Sequence, residues 1–193
     1  MTLIKTTGFL LFLAIALNAC QPVMFFLYGI KKPRPVPDSK IINKALDLGI
    51  DTAQLYTLQK EQYYPVLKAI SSLPNIRIYD AGGLHYKYWE SPDECKAGAA
   101  EFIKNLRRDA DNQPLNDSAF YRLPLELETL HGSAFAERKL PRDADFYVIV
   151  YWGTFLGKLN RDYIESWIKE ARENRQVNIH LIYVSCDMRK AWD

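Results

Sequence analysis

The chain has 193 residues, of which 48% are hydrophobic and 25% charged, with 25 basic and 23 acidic side chains. That length holds one domain with a full hydrophobic core and is short for two domains plus linkers, and the composition excludes a disordered chain. A formal charge of +2 gives no sign of the basic surface that a nucleic-acid partner requires.

The first segment carries a single cation, Lys5, followed by the apolar run Gly8 to Leu17. Such a run is too short to span a bilayer and suits the core of a signal peptide. It ends in Leu17-Asn18-Ala19-Cys20, which resembles the lipobox of bacterial lipoproteins. The resemblance implies cleavage before Cys20, a diacylglyceryl group on that cysteine, and a mature chain lipid-anchored to the inner or outer membrane of the cell envelope, facing the periplasm. Residues 1–19 are then a lipoprotein signal peptide, whose loss leaves 24 basic against 23 acidic side chains. A competing reading fuses the run with Val23 to Tyr28 into one uncleaved membrane helix, against which Gln21 and Pro22 in its middle stand.

Residues 20–37 read as the lipidated N-terminus and a Pro-rich spacer. Pro33, Pro35 and Pro37 stiffen it, and Lys31, Lys32 and Arg34 suit a place near anionic headgroups, although a solvated linker has the same composition. The folded domain is expected over 38–193. Its first helix is predicted from about Lys40 to Leu48, with Asp38 or Ser39 as N-cap and Gly49 ending it. A second helical pattern, Lys60 to Ser71, places Tyr63, Val66, Leu67 and Ile70 on one stripe, with Pro65 starting or kinking it. Ile76 to Asp80, Gly82-Gly83 and His85 to Trp89 predict a β-hairpin. Ser91-Pro92-Asp93-Glu94 is a capping box opening a helix whose core stripe is Ala99, Phe102, Ile103 and Leu106.

The stretch 107–145 lacks a single period, contains Pro114, Pro124 and Pro141, and reads as an irregular linker that either holds the specific function or wraps the core. Phe146 to Trp152 is a continuous apolar run expected in the middle of the sheet. Asn160 then caps a helix with the stripe Ile164, Trp167, Ile168 and Ala171, and Val177 to Val184 follows as a strand, so the unit is a parallel crossover.

Trp152-Gly153-Thr154-Phe155-Leu156-Gly157-Lys158-Leu159, between a buried strand and a helix, resembles the thioredoxin active-site stretch of tryptophan, two spacers, an aromatic and CxxC. Leu156 and Leu159 stand at the two cysteine positions. Pro74 to Gly82 resembles the thioredoxin segment that starts with a cis-proline, continues as a strand and turns at glycine, and the capping-box helix follows as the family's last helix does. The resemblance implies an α/β fold with a thioredoxin-like mixed sheet flanked by helices. Because the hairpin and its helix come first here, it also implies circular permutation, with 107–145 as the joining linker.

Leucine has no ionisable group, so the family's thiol–disulfide chemistry does not carry over. Cys95, in the first turn of the capping-box helix, is the candidate reactive thiol, against the plainer reading of a structural cysteine. The family topology places Cys95 and Cys186 near opposite sheet edges and implies no disulfide between them. His85, His131 and His180 stand in no metal or haem spacing, and no phosphate loop or nucleophile elbow is present, so no catalytic residue, cofactor or metal is expected. The leading expectation is a redox-inactive interaction module that contacts another envelope protein through Trp152, Phe155 and the Pro74 turn. The alternative is an envelope thiol oxidoreductase or peroxidase using Cys95. A structural or immunity-type lipoprotein, with its partner set by the linker, is the third.

Overall fold

The computed structural model describes residues 25–70, 72–88, 98–108, 114–115, 119–135 and 140–192. The lipobox cysteine Cys20, the candidate thiol Cys95, the capping box 91–94 and parts of the 107–145 segment lie outside them.

The described residues form an α/β fold with a mixed sheet between two layers of helices. Seven strands contribute: β1 (Leu55–Leu58), β2 (Asn75–Asp80), β3 (His85–Tyr86), β4 (Pro114–Leu115), β5 (Leu127–Thr129), β6 (Phe146–Trp152) and β7 (Ile179–Ser185). Their order is β4-β3-β2-β6-β7-β1-β5. β6 pairs parallel with β7 and antiparallel with β2, and β1 pairs parallel with β7.

β6 sits where its sequence places it. All seven of its residues are buried, because strands flank both of its edges and helices cover both of its faces. Phe146, Val148, Val150 and Trp152 enter one apolar cluster, and Tyr147, Ile149 and Tyr151 enter the other, as the two-residue repeat of a strand requires. The first cluster is closed by α1 (Asp38–Asp47), α3 (Gly98–Lys104) and a long helical run, α5, over 158–173. The second is closed by α2 (Tyr63–Ile70) and α4 (Ala119–Glu126).

Several expectations need correction. α1 starts at Asp38 with Pro37 in the cap position and no side-chain cap, since Asp38 is drawn instead to Arg189. Asn160 does not cap α5, because that helix has already begun at Lys158 and Asn160 lies inside it with α-helical angles. β1 was not expected at all. The 107–145 segment is not structureless: β4 pairs with β3 at one edge of the sheet, β5 pairs with β1 at the other, and α4 lies between them in sequence. It wraps the core and supplies both edge strands.

The spacer is also not free. Val36 N–H donates to Met188 O at 2.9 Å and Val36 O accepts from Lys190 N–H at 2.9 Å, which ties the spacer to the chain just beyond β7. Beneath it, Arg189 is 6% exposed. Its guanidinium donates to both Asp38 oxygens at 2.9 and 2.7 Å, to Glu128 Oε1 at 2.8 Å and to Leu130 O at 2.6 Å. One side chain thus joins α1, the β5 strand and the C-terminal segment.

Removing a buried guanidinium leaves two carboxylates without their partner. Arg189→Ala is therefore expected to cost about 2–4 kcal/mol in urea unfolding, somewhat under a fully buried pair because Asp38 and Glu128 keep some water. A loss below about 0.5 kcal/mol, the scale of an ordinary surface change, would refute the tie.

Candidate functional site

Parallel strands deliver their carboxyl ends to one side of a sheet, and ligand sites in open α/β sheets gather there. Here that side holds the ends of β6 and β7 and the turn 153–157 that leads into α5. Each residue expected from sequence at this corner is present, and most of them are buried.

Trp152 is fully buried. Asn75 is in register with Tyr151, so Pro74, also buried and preceded by a cis peptide, stands at the same end of the sheet as Trp152. A single 3-10 turn, Thr154–Leu156, follows, with Phe155 half-exposed and Leu156 buried. Leu159 is half-buried in the first turn of α5. Asn160 is buried and donates its Nδ2 to Gly153 O at 2.8 Å, which fastens the turn to the helix.

Gly157 has φ +58° and ψ −127°, a region glycine alone occupies without strain. A Cβ there would also run into the backbone carbonyls of Tyr28 and Gly29. Lys31 N–H donates to Phe155 O at 2.8 Å. Residues 28–31, rather than the 107–145 segment, therefore lie over the corner. Of the face expected from Trp152, Phe155 and the Pro74 turn, Phe155 alone retains substantial exposure.

Asp187 is the residue that sequence reasoning missed. It is 2% exposed just past the end of β7. Its carboxylate accepts from Thr154 N–H at 2.9 Å, Thr154 Oγ1 at 2.6 Å and Ser185 Oγ at 2.9 Å. Burial raises its pKa above the ordinary carboxylate value of 3.8, against the pull of those hydrogen bonds and of the Lys40 charge. The available signal was an acid placed directly after an apolar strand in a parallel pair, where the chain turns inward at the sheet's carboxyl end.

Above Asp187 opens a cavity of about 540 Å³, lined by Lys31, Lys32, Arg34, Val36, Lys40, Thr154, Phe155 and Asp187. Four cations face one carboxylate that is already held by Thr154 and Ser185. The space can receive an anionic group. The Cys186 thiol is not offered to it: Cys186, the neighbour of Asp187, is fully buried, its N–H donates to Trp152 O at 2.6 Å, and burial raises its thiol pKa far above the usual range.

The histidines do not converge. His85 is buried against Tyr79, His131 is exposed, and His180 is half-buried with its pKa lowered by desolvation. Among the described residues no group of three or more His, Cys, Asp and Glu side chains is placed to hold a metal ion, and no helix is long and apolar enough to cross a membrane. No family model, curated protein or solved structure matches the chain.

The corner makes two testable demands. Gly157→Ala is expected to destabilise by more than about 1 kcal/mol and to open the peptide bonds of 28–31 to protease, whereas a variant as resistant as the native chain would contradict the close approach. A carboxyl whose folded pKa exceeds its unfolded value binds its proton more tightly when folded. Its favourable contribution is therefore complete at low pH and is lost as pH rises through the raised folded pKa. Asp187→Asn keeps an acceptor for Thr154 and removes the charge. Its unfolding free energy relative to the native chain should rise as pH increases above the ordinary carboxylate range, and a pH-independent difference counts against the raised carboxyl.

Proposed function

We propose that the chain is a lipid-anchored cell-envelope protein whose domain, residues 38–193, is a circularly permuted thioredoxin-like unit that has lost redox activity and works by binding. The lipobox at Leu17 to Cys20 supports the anchor. The strand, corner and helix from β6 through α5 and the antiparallel pairing of β2 with β6 support the kinship.

The observation that carries the loss of redox chemistry is the filled corner. A thiolate at a helix start is activated by the helix dipole and must be open to its disulfide partner. Leu156 is instead a buried hydrocarbon, the Gly157 that follows it lies against residues 28 and 29, and the nearby Cys186 is sealed inside the sheet with its thiol form favoured. What remains for function is surface. Leu84, Tyr121 and Leu125, 41%, 68% and 68% exposed, lie on the β2–β3 turn and on α4, where Tyr121 Oη donates to Gly82 O at 2.7 Å. These apolar side chains suit contact with another envelope protein, the partner class proposed here.

The deciding assay is reduction of a small protein disulfide by the full chain in the presence of reductant, beside Cys95→Ser and Cys186→Ser variants. No rate above background is expected from any of the three. A rate abolished by Cys95→Ser alone would overturn the binding-module reading and establish a thiol oxidoreductase or peroxidase acting through Cys95.

A further inference from the structure

We propose that the carboxyl end of the sheet is a membrane-docking surface, in which the cationic cavity receives the phosphate groups of anionic lipids in the bilayer that holds the anchor. The inference rests on the anchored reading above. It adds an orientation and a lipid class to that reading.

The segment that leads toward the anchor is fastened to the domain rather than hanging from it. Residues 28–31 lie on the Gly157 turn, Lys31 N–H is bonded to Phe155 O, and Val36 is bonded on both sides to the chain beyond β7. Phe25 follows Cys20 by five steps along the chain, a reach of at most about 18 Å when fully extended. A lipid on Cys20 therefore holds this end of the domain against the bilayer surface.

The same end has the chemistry of that surface. Phe25, Phe26 and Leu27 are 52%, 86% and 56% exposed, which is costly in water and favourable at the boundary between headgroups and acyl chains. Next to them in the chain, Lys31, Lys32 and Arg34 are exposed, and Lys40 joins them from the first turns of α1 to line the cavity. Each cation held near an anionic leaflet favours the bound state by about fivefold. The one carboxylate on the lining, Asp187, is turned inward to Thr154 and Ser185, so it opposes an incoming phosphate less than an open acid would.

The test uses the full chain with its lipid, mixed with preformed vesicles of phosphatidylcholine alone or of phosphatidylcholine with phosphatidylglycerol. Flotation reads the anchor, and lysine acetylation followed by mass spectrometry reads the docked face. Lys104, exposed on α3 beside the amino-terminal side of β7, is the internal reference, because its carbonyl is bound by Asn174 at the opposite end of the sheet. Lys31, Lys32 and Lys40 should be acetylated at least roughly tenfold more slowly relative to Lys104 on phosphatidylglycerol vesicles than on phosphatidylcholine alone. The protection should vanish in ~1 M salt, where the screening length falls to ~3 Å. It should also vanish at Lys40 in a Lys31→Gln, Lys32→Gln, Arg34→Gln variant, and the salt arm decides the matter if that variant does not fold.

Equal acetylation on both vesicles, with flotation intact, overturns the docking and leaves the anchor standing. Flotation with neither vesicle overturns both. Protection on phosphatidylcholine that appears only when inorganic phosphate is added makes the cavity a soluble-phosphate site and also overturns the docking.

Discussion

Strand β6 has no side open to water, and this single condition organises the molecule. Its seven residues are buried, so both rows of its backbone groups must be paired and both rows of its side chains covered. β2 and β7 meet the first demand, in opposite directions. The helices α1, α3 and α5 on one face and α2 and α4 on the other meet the second. A strand buried on all sides cannot shift register by one residue without moving every side chain to the wrong cluster, so its pairing also fixes where it ends. That end, Trp152, determines where the Gly153 turn, Asp187 and the cavity lie.

The corner after β6 shows how a sheet end is fixed by a few polar contacts. The turn is held by polar contacts: Asn160 to Gly153 O, and Thr154 and Ser185 to Asp187. A buried acid with three donors fixes the geometry of Thr154 at the cost of desolvating a charge. The elevated Asp187 pKa reflects that cost. Residues 28–31 then close the turn from outside, and Gly157 is the residue that lets two backbones approach so closely.

Sequence reading recovered those parts whose signal is local. A seven-residue apolar run admits no solvent face, so β6 and its central place were legible in Phe146 to Trp152. The α2 and α3 stripes were legible for the same reason, through the helical spacing of Tyr63, Val66 and Ile70 and of Ala99, Ile103 and Leu106. What escaped was set by distant partners. β1, Leu55–Leu58, is too short for its own periodicity and owes its order to β7 and β5 on either edge. β4 and β5 are two and three residues long and sit in a Pro-bearing stretch that reads as a linker. The Asp38 side chain, a credible N-cap in sequence, is held by Arg189, 151 residues away. The candidate site was half legible: Trp152, Phe155, Leu156, Leu159 and Pro74 do gather at one sheet end, but their burial, and the arrival of Asp187 and four spacer or α1 cations, depend on tertiary packing.

On the proposed anchored reading, the two ends of the sheet divide the work of a tethered domain. The carboxyl end of β6 carries the cations, the apolar residues 25–27 and the direction of the anchor. The amino end carries the β2–β3 turn, since Asp80 is in register with Phe146, and with it Tyr121 of α4. The six rises between the first and last of its seven strand residues separate the ends by about 20 Å. In the proposed docking the domain rests on the bilayer by its carboxyl end and presents Leu84 and Tyr121 outward at roughly that height, clear of the headgroups. Rigidity between the ends matters here, because a face presented at fixed height and angle loses less orientational freedom on meeting a partner than one swinging on a loose spacer. Docking residues 28–36 onto the fold supplies that rigidity, and in the proposed binding role a segment fastened to the domain serves better than a stiff spacer standing free of it.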